Sequence, residues 1–180
     1  DRKLEWKRDT LDVNAFHVTV PDGVSEITAE FDFLTATGAG QGRVVMPPRM
    51  LNLQFLSTVL YPAGHHAGKI LFDPRVTYPA GWTAFTALHE QGRSGDTVDY
   101  QDVPLDILVD SPVYAGRHAK NIDLTPAGSK VPVRLGTVAD APKYLEAKPE
   151  QVAIHRKMVE QALKLFGAQH YDHYQFLFSL

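Results

Sequence analysis

Pro149 to Leu180 constrains this chain more than any other stretch, because it reads as one long helix followed at once by one strand. Pro149 and Glu150 suit the first turn of a helix, where a missing N–H costs nothing and negative charge meets the positive end of the dipole. On a wheel of about 3.6 residues per turn, Val152, Ile154, Met158, Val159, Ala162, Leu163, Leu165 and Phe166 fill one half of the circumference. Arg156, Lys157, Glu160, Gln161 and Lys164 fill the other. The pattern predicts an amphipathic helix with one broad face to bury, ended by Gly167 as a C-terminal cap. Tyr174, Phe176, Phe178 and Leu180 then alternate with Gln175, Leu177 and Ser179, a strand with one strongly apolar face. A strand needs ladder partners. The expectation is therefore a piece of a longer protein, cut just after a new domain begins. Segment 149–180 is expected to fold back onto the preceding domain or to self-associate with a second copy.

The first 140 residues carry strand signatures. Ala15–Val20 ends at the turn Pro21-Asp22-Gly23, and Ile27, Ala29, Phe31 and Phe33 alternate with Thr28, Glu30 and Asp32 as a half-buried strand. Met50–Tyr61 favours a strand or a strand–bend–strand. Lys69–Tyr78 reads as a strand interrupted at Asp73-Pro74, and Thr83–Leu88 as a further strand. Gln91–Asp96 reads as a polar hairpin turn into Thr97–Gln101, and Pro104–Val109 as one helical turn. Ala119–Leu124 and Val131–Val138 complete the strand set, at a spacing that suits a sandwich or an open antiparallel sheet pair. Ala141-Pro142 is the expected domain boundary, where helical periodicity takes over. The domains are thus 1–140, a β-domain, and 141–180, the start of another.

Composition excludes more than it selects. A net charge of −3, with Lys and Arg scattered, argues against nucleic acid or an anionic membrane as partner. No window is long and apolar enough to span a bilayer, and no cysteine is present for disulfides or thiolate metal sites.

Chemistry-bearing side chains are sparse. His65-His66 lies in a loop with no third ligand at metal spacing, so a solvated loop tip is the expectation. In His170-Tyr171-Asp172-His173 the two histidines are three apart at the mouth of a strand and point to opposite faces, so hydrogen bonding at the strand entry is expected rather than zinc. His155 falls within the apolar arc of the helix, as a core histidine with one satisfied ring nitrogen would. Trp82 with Tyr78 and Tyr61 suits a sugar platform or, as is commoner for aromatics in β-domains, core. No acidic pair is placed for glycoside hydrolysis, and Ser111 and Ser179 lack a nucleophile elbow. Gly38-Ala39-Gly40-Gln41-Gly42 lacks the helix and Lys of a phosphate loop. The residues alone supply no catalytic, cofactor-binding or metal-ligating set.

Four phrases occur in order: Leu60-Tyr61-Pro62-Ala63-Gly64, Pro79-Ala80-Gly81-Trp82, Leu108-Val109-Asp110-Ser111-Pro112-Val113-Tyr114-Ala115-Gly116-Arg117, and His170-Tyr171-Asp172-His173-Tyr174. With the helix from Pro149 to Gly167, this set resembles the glycyl aminopeptidase family of zinc metallopeptidases, peptidase family sixty-one. The resemblance implies a mainly β fold: an antiparallel β-sandwich or saddle-like N-terminal domain, then one amphipathic helix and one strand of a truncated thermolysin-like domain. It implies a parent that hydrolyses peptides with N-terminal glycine or another small residue, using zinc held by a His-Glu-x-x-His helix. That motif is absent here. The expected chain is thus a non-catalytic N-terminal region without zinc of its own, partnered by the remainder of the catalytic domain. The rival class is a stand-alone β-sandwich module binding glycan or protein.

Overall fold

The computed structural model describes residues 2–37 and 46–180; the glycine-rich segment Gly38 to Gly42 lies outside them. The chain divides into two compact units, Asp1–Phe33 and Leu34–Leu180.

The first unit holds one antiparallel hairpin of β1 (Trp6–Arg8) and β2 (Phe16–Val18), with Lys7 opposite His17. Asp9 organises the connection. Its carboxylate accepts the N–H of Leu11 and Asp12, at 2.8 and 3.0 Å, and lies 2.7 Å from His17 Nε2. Those bonds, the Asp12 N–H foremost, hold the carboxyl far below its ordinary range. Trp6 meets Phe16 edge-on across the strands, with ring centroids 5.7 Å apart. Residues 25–33 form no ladder among the described residues, and Ile27, Phe31 and Phe33 are exposed. That corrects the expected half-buried strand: alternation marks the side that would be buried, but no neighbouring strand of this unit is there to bury it.

The second unit carries the rest. β3 (Met50–Leu53) is followed by a 3₁₀ turn at Phe55–Ser57. β4 (Leu71–Phe72) and β5 (Arg75–Thr77) flank Asp73-Pro74, where the missing proline N–H breaks the strand. β6 (Thr83–Phe85), β7 (Glu90–Ser94) and β8 (Thr97–Tyr100) follow. The stretch expected as a turn from Gln91 is strand as far as Ser94, bulged between Glu90 and Gly92, and the chain reverses at Gly95 with φ 59°. β9 (Val103–Pro104) leads into α1 (Leu105–Val109). β10 (Val113–Gly116) is the middle strand of the sheet β3-β10-β6, and β8 the middle strand of β5-β8-β7, all antiparallel. Val98, Tyr100, Leu108, Val113 and Ala115 form the main core with Phe55, Tyr78 and Leu88. The hydroxyls of Tyr78 and Tyr100 meet inside it at 2.7 Å, and burial raises both phenols above their ordinary range.

β11 (His118–Asp123) pairs antiparallel with β12 (Val133–Ala139). α2 (Pro149–Phe166) then crosses over, and β13 (Tyr174–Ser179) returns parallel to β12, with Val133 opposite Tyr174. A parallel partner requires such a crossover. Gln151 closes the start of α2 by accepting the Lys148 N–H at 3.0 Å. Gly167, at φ 69°, ends it with its N–H on the Leu163 carbonyl at 2.9 Å. Fold-back is thus how β13 finds its partner.

The helix differs from the expectation in how much it buries. Val159 is buried, and Val152 packs beside it on Leu124 and Val133, whereas Ile154, Met158, Leu165 and Phe166 are exposed. The apolar arc is wider than the sheet surface it meets, so only a narrow stripe is covered. Gly136 marks where β12 passes closest to Phe85 of β6. A Cβ there would stand 2.4 Å from the Phe85 ring, so the close approach requires glycine. Among the described residues no helix is long and apolar enough to cross a membrane.

Candidate functional site

The structure gathers three chemistry-bearing side chains that lie far apart in the chain. Thr86 to His89 forms a bend between β6 and β7, and Leu88 anchors it by burying its side chain in the main core. Asp172 and His173 stand just before β13, whose first residue, Tyr174, donates its N–H to Pro132 O at 2.9 Å. Each half of the site is therefore fixed by packing or by the sheet ladder.

His89 Nε2 lies 3.0 Å from Asp172 Oδ2, and His173 Nδ1 lies 2.7 Å from Asp172 Oδ1. The two imidazoles meet edge-on with centroids 4.6 Å apart. The second nitrogen of His173, Nε2, is 3.0 Å from the carbonyl oxygen of Ala87, 86 positions away in the chain. His173 is the most sheltered of the three, and Asp172 is largely in solvent. The bond from His173, with the charge of His89 adding to it, holds the Asp172 carboxyl below its ordinary range. A cleft of about 360 Å³ opens beside the trio and is lined also by Glu90, Arg134 and Gln175. Glu90 is committed to Arg93, whose guanidinium donates to it at 2.7 and 3.1 Å.

Of the residues weighed from the sequence, Asp172 and His173 come together and His170 does not join them. His89 carried no signal, being a single histidine outside any spaced pattern. His65 and His66 are exposed, and His66 Nδ1 accepts the Gly68 N–H at 3.2 Å. His155 is exposed rather than core, because it falls on the part of the apolar arc that meets no sheet. Its Nδ1 donates to Gln151 O at 2.7 Å. Tyr78 is buried and Trp82 packs on the main core, whereas Tyr61 is exposed, so the three make no common platform. Ser111 is buried and donates to Ile107 O at 2.8 Å, closing α1. Ser179 is exposed on β13.

Comparison with known proteins gives the wider setting. An aminopeptidase N family protein from Idiomarina loihiensis shares the fold, with a TM-score of 0.60 at 15% identity. The similarity covers 76% of this chain and 22% of that one, so the chain spans about a fifth of that protein's length. No curated protein matches. The family model described as the peptidase M61 N-terminal domain matches residues 1–117. The chain belongs to the peptidase M61 family and carries its N-terminal domain.

Proposed function

We propose that the chain is the non-catalytic N-terminal region of a zinc-dependent aminopeptidase that removes glycine or another small residue from peptides. The observation that carries this reading is the family match over residues 1–117. The chain contains no His-Glu-x-x-His, and no step of the reaction is assigned to it. Its task is architectural: residues 1–140 form a β-domain walling one side of the substrate cleft, and 141–180 begin the catalytic domain. Two surfaces support that task. β13 is the outer strand of its sheet, and Ile154, Met158, Leu165 and Phe166 leave one side of α2 apolar and exposed. The occupant assigned to both is the remainder of the catalytic domain.

The test compares residues 1–180 with the polypeptide continued along its reading frame, on glycine p-nitroanilide. The shorter chain is expected to be inert, and the longer one to cleave in a chelator-sensitive way. Chelator-sensitive cleavage by the shorter chain alone would sink the reading.

A further inference from the structure

We propose that His89, Asp172 and His173 bind one divalent transition-metal ion, Zn²⁺ foremost, where the 86–89 bend meets the entry to β13. One donor atom from each residue lies within 4.8 Å of the other two. The hydrogen bonding defines what the gap between them needs. His173 Nε2 faces a carbonyl oxygen, which carries no proton, so Nε2 keeps its hydrogen. Nδ1 and the Asp172 carboxylate oxygen 2.7 Å from it then need a positive centre between them, either the proton of a hydrogen bond or a metal ion in its place. Two lone pairs that close repel unless a cation stands between them. A proton relieves one such contact; a metal ion satisfies both imidazoles and the carboxylate together. A ring N–H fixed by a backbone carbonyl is also how ligating histidines are oriented.

The spacing suits a four-coordinate ion. Bonds of about 2.0–2.2 Å put neighbouring donors of a tetrahedron about 3.3–3.6 Å apart. The 2.7 and 3.0 Å separations from Asp172 need to open by a fraction of an ångström, which rotation of its exposed carboxylate supplies. The two imidazole nitrogens, within 4.8 Å of each other, draw together around the ion. The cleft leaves the fourth position to water. Two imidazoles and one carboxylate suit Zn²⁺, Cu²⁺ or Ni²⁺ rather than Mg²⁺ or Ca²⁺. Arg134 is the charge in the cleft that opposes a cation, and Glu90 is occupied by Arg93. An ion held there would staple the start of β13 to the bend anchored in the main core by Leu88.

Zn²⁺ titrated into the metal-free 180-residue chain, followed by calorimetry, tests this. One equivalent is expected to bind. Affinity is expected to fall by about tenfold or more in His89→Ala and in the near-isosteric Asp172→Asn. His170→Ala and the pair His65→Ala/His66→Ala should leave it unchanged, with circular dichroism reporting that every variant is folded. Cu²⁺ bound to the unaltered chain should show hyperfine coupling to two imidazole nitrogens. Absence of saturable binding up to about 1 mM Zn²⁺ would overturn the proposal, leaving a proton-bridged clasp. So would full affinity in both the His89 and Asp172 variants, or dependence on His65 and His66 alone.

Discussion

The second unit has two apolar cores, and they differ in how completely their elements enclose them. The main core is closed by antiparallel strands and α1: Val98, Leu108, Val113 and Ala115 are at most 1% exposed, and Phe55, Tyr78 and Leu88 seal its margins. The core under α2 buries Leu124 and Val133 fully and Val159 nearly so, while Leu165 and Phe166 of the same helix are 78% and 74% exposed. An element surrounded by neighbours is stabilised all round, whereas α2 is held along one stripe. Its Arg156 guanidinium adds two bonds to the Asp123 carbonyl, at 2.9 and 3.2 Å. The lesson is that helical amphipathicity states the capacity for burial, and the sheet beneath decides how much of it is used.

Substitutions can sharpen or break that contrast. Leu108→Ala, in the closed core, should cost the most, about 2–5 kcal/mol in denaturant unfolding. Gly136→Ala tests the close approach of β12 to Phe85. Its Cβ has to displace the Phe85 ring, for a cost of about 1–3 kcal/mol, and Phe85→Leu in the same chain should recover part of it. Val159→Ala should cost about 1–2 kcal/mol; a loss matching that of Leu108→Ala would show that the thin core is as tightly held as the main one. Phe166→Ser should change stability by less than about 0.5 kcal/mol while reducing binding of a hydrophobic dye. The smallest effect is expected from acid. Bonds from Thr125 Oγ1 and N–H hold the Asp123 carboxyl below its ordinary 3.8. A carboxyl lowered on folding contributes stability that is complete above its unfolded value and is lost as pH falls through its folded one. Asp123→Asn should therefore flatten the pH dependence of melting only below about pH 4.

Much of the fold was legible because turn chemistry is local. Gly167 and Pro149 bounded α2, and Asp73-Pro74 split the strand pair on either side of it. β10 was harder to see. Ser111-Pro112 and Gly116-Arg117 crowd a four-residue strand whose identity comes from lying between β3 and β6. Ile27 to Phe33 shows the opposite failure, a sound alternation with no neighbour to pair with. The candidate site was half legible. Asp172 and His173 stood out as a polar cluster before an apolar strand, but reasoning about opposed faces applies to regular strand, and these two precede it. His89 reaches them only because β12 and β13 bring the end of the chain beside the bend after β6. Nothing within a few positions of His89 encodes that.

The parallel pairing of β12 with β13 also imposes an order of events. β11 and β12 are separated by only the nine residues Leu124 to Pro132 and can zip together early, while β13 must wait for everything from Asp140 to His173 to be synthesised and for α2 to wind. During that interval β12, with Val133, Leu135, Val138 and Ala139, presents one bare edge to the crowded surroundings of the ribosome. For a nascent chain of this design, the hazardous moment is the wait for β13.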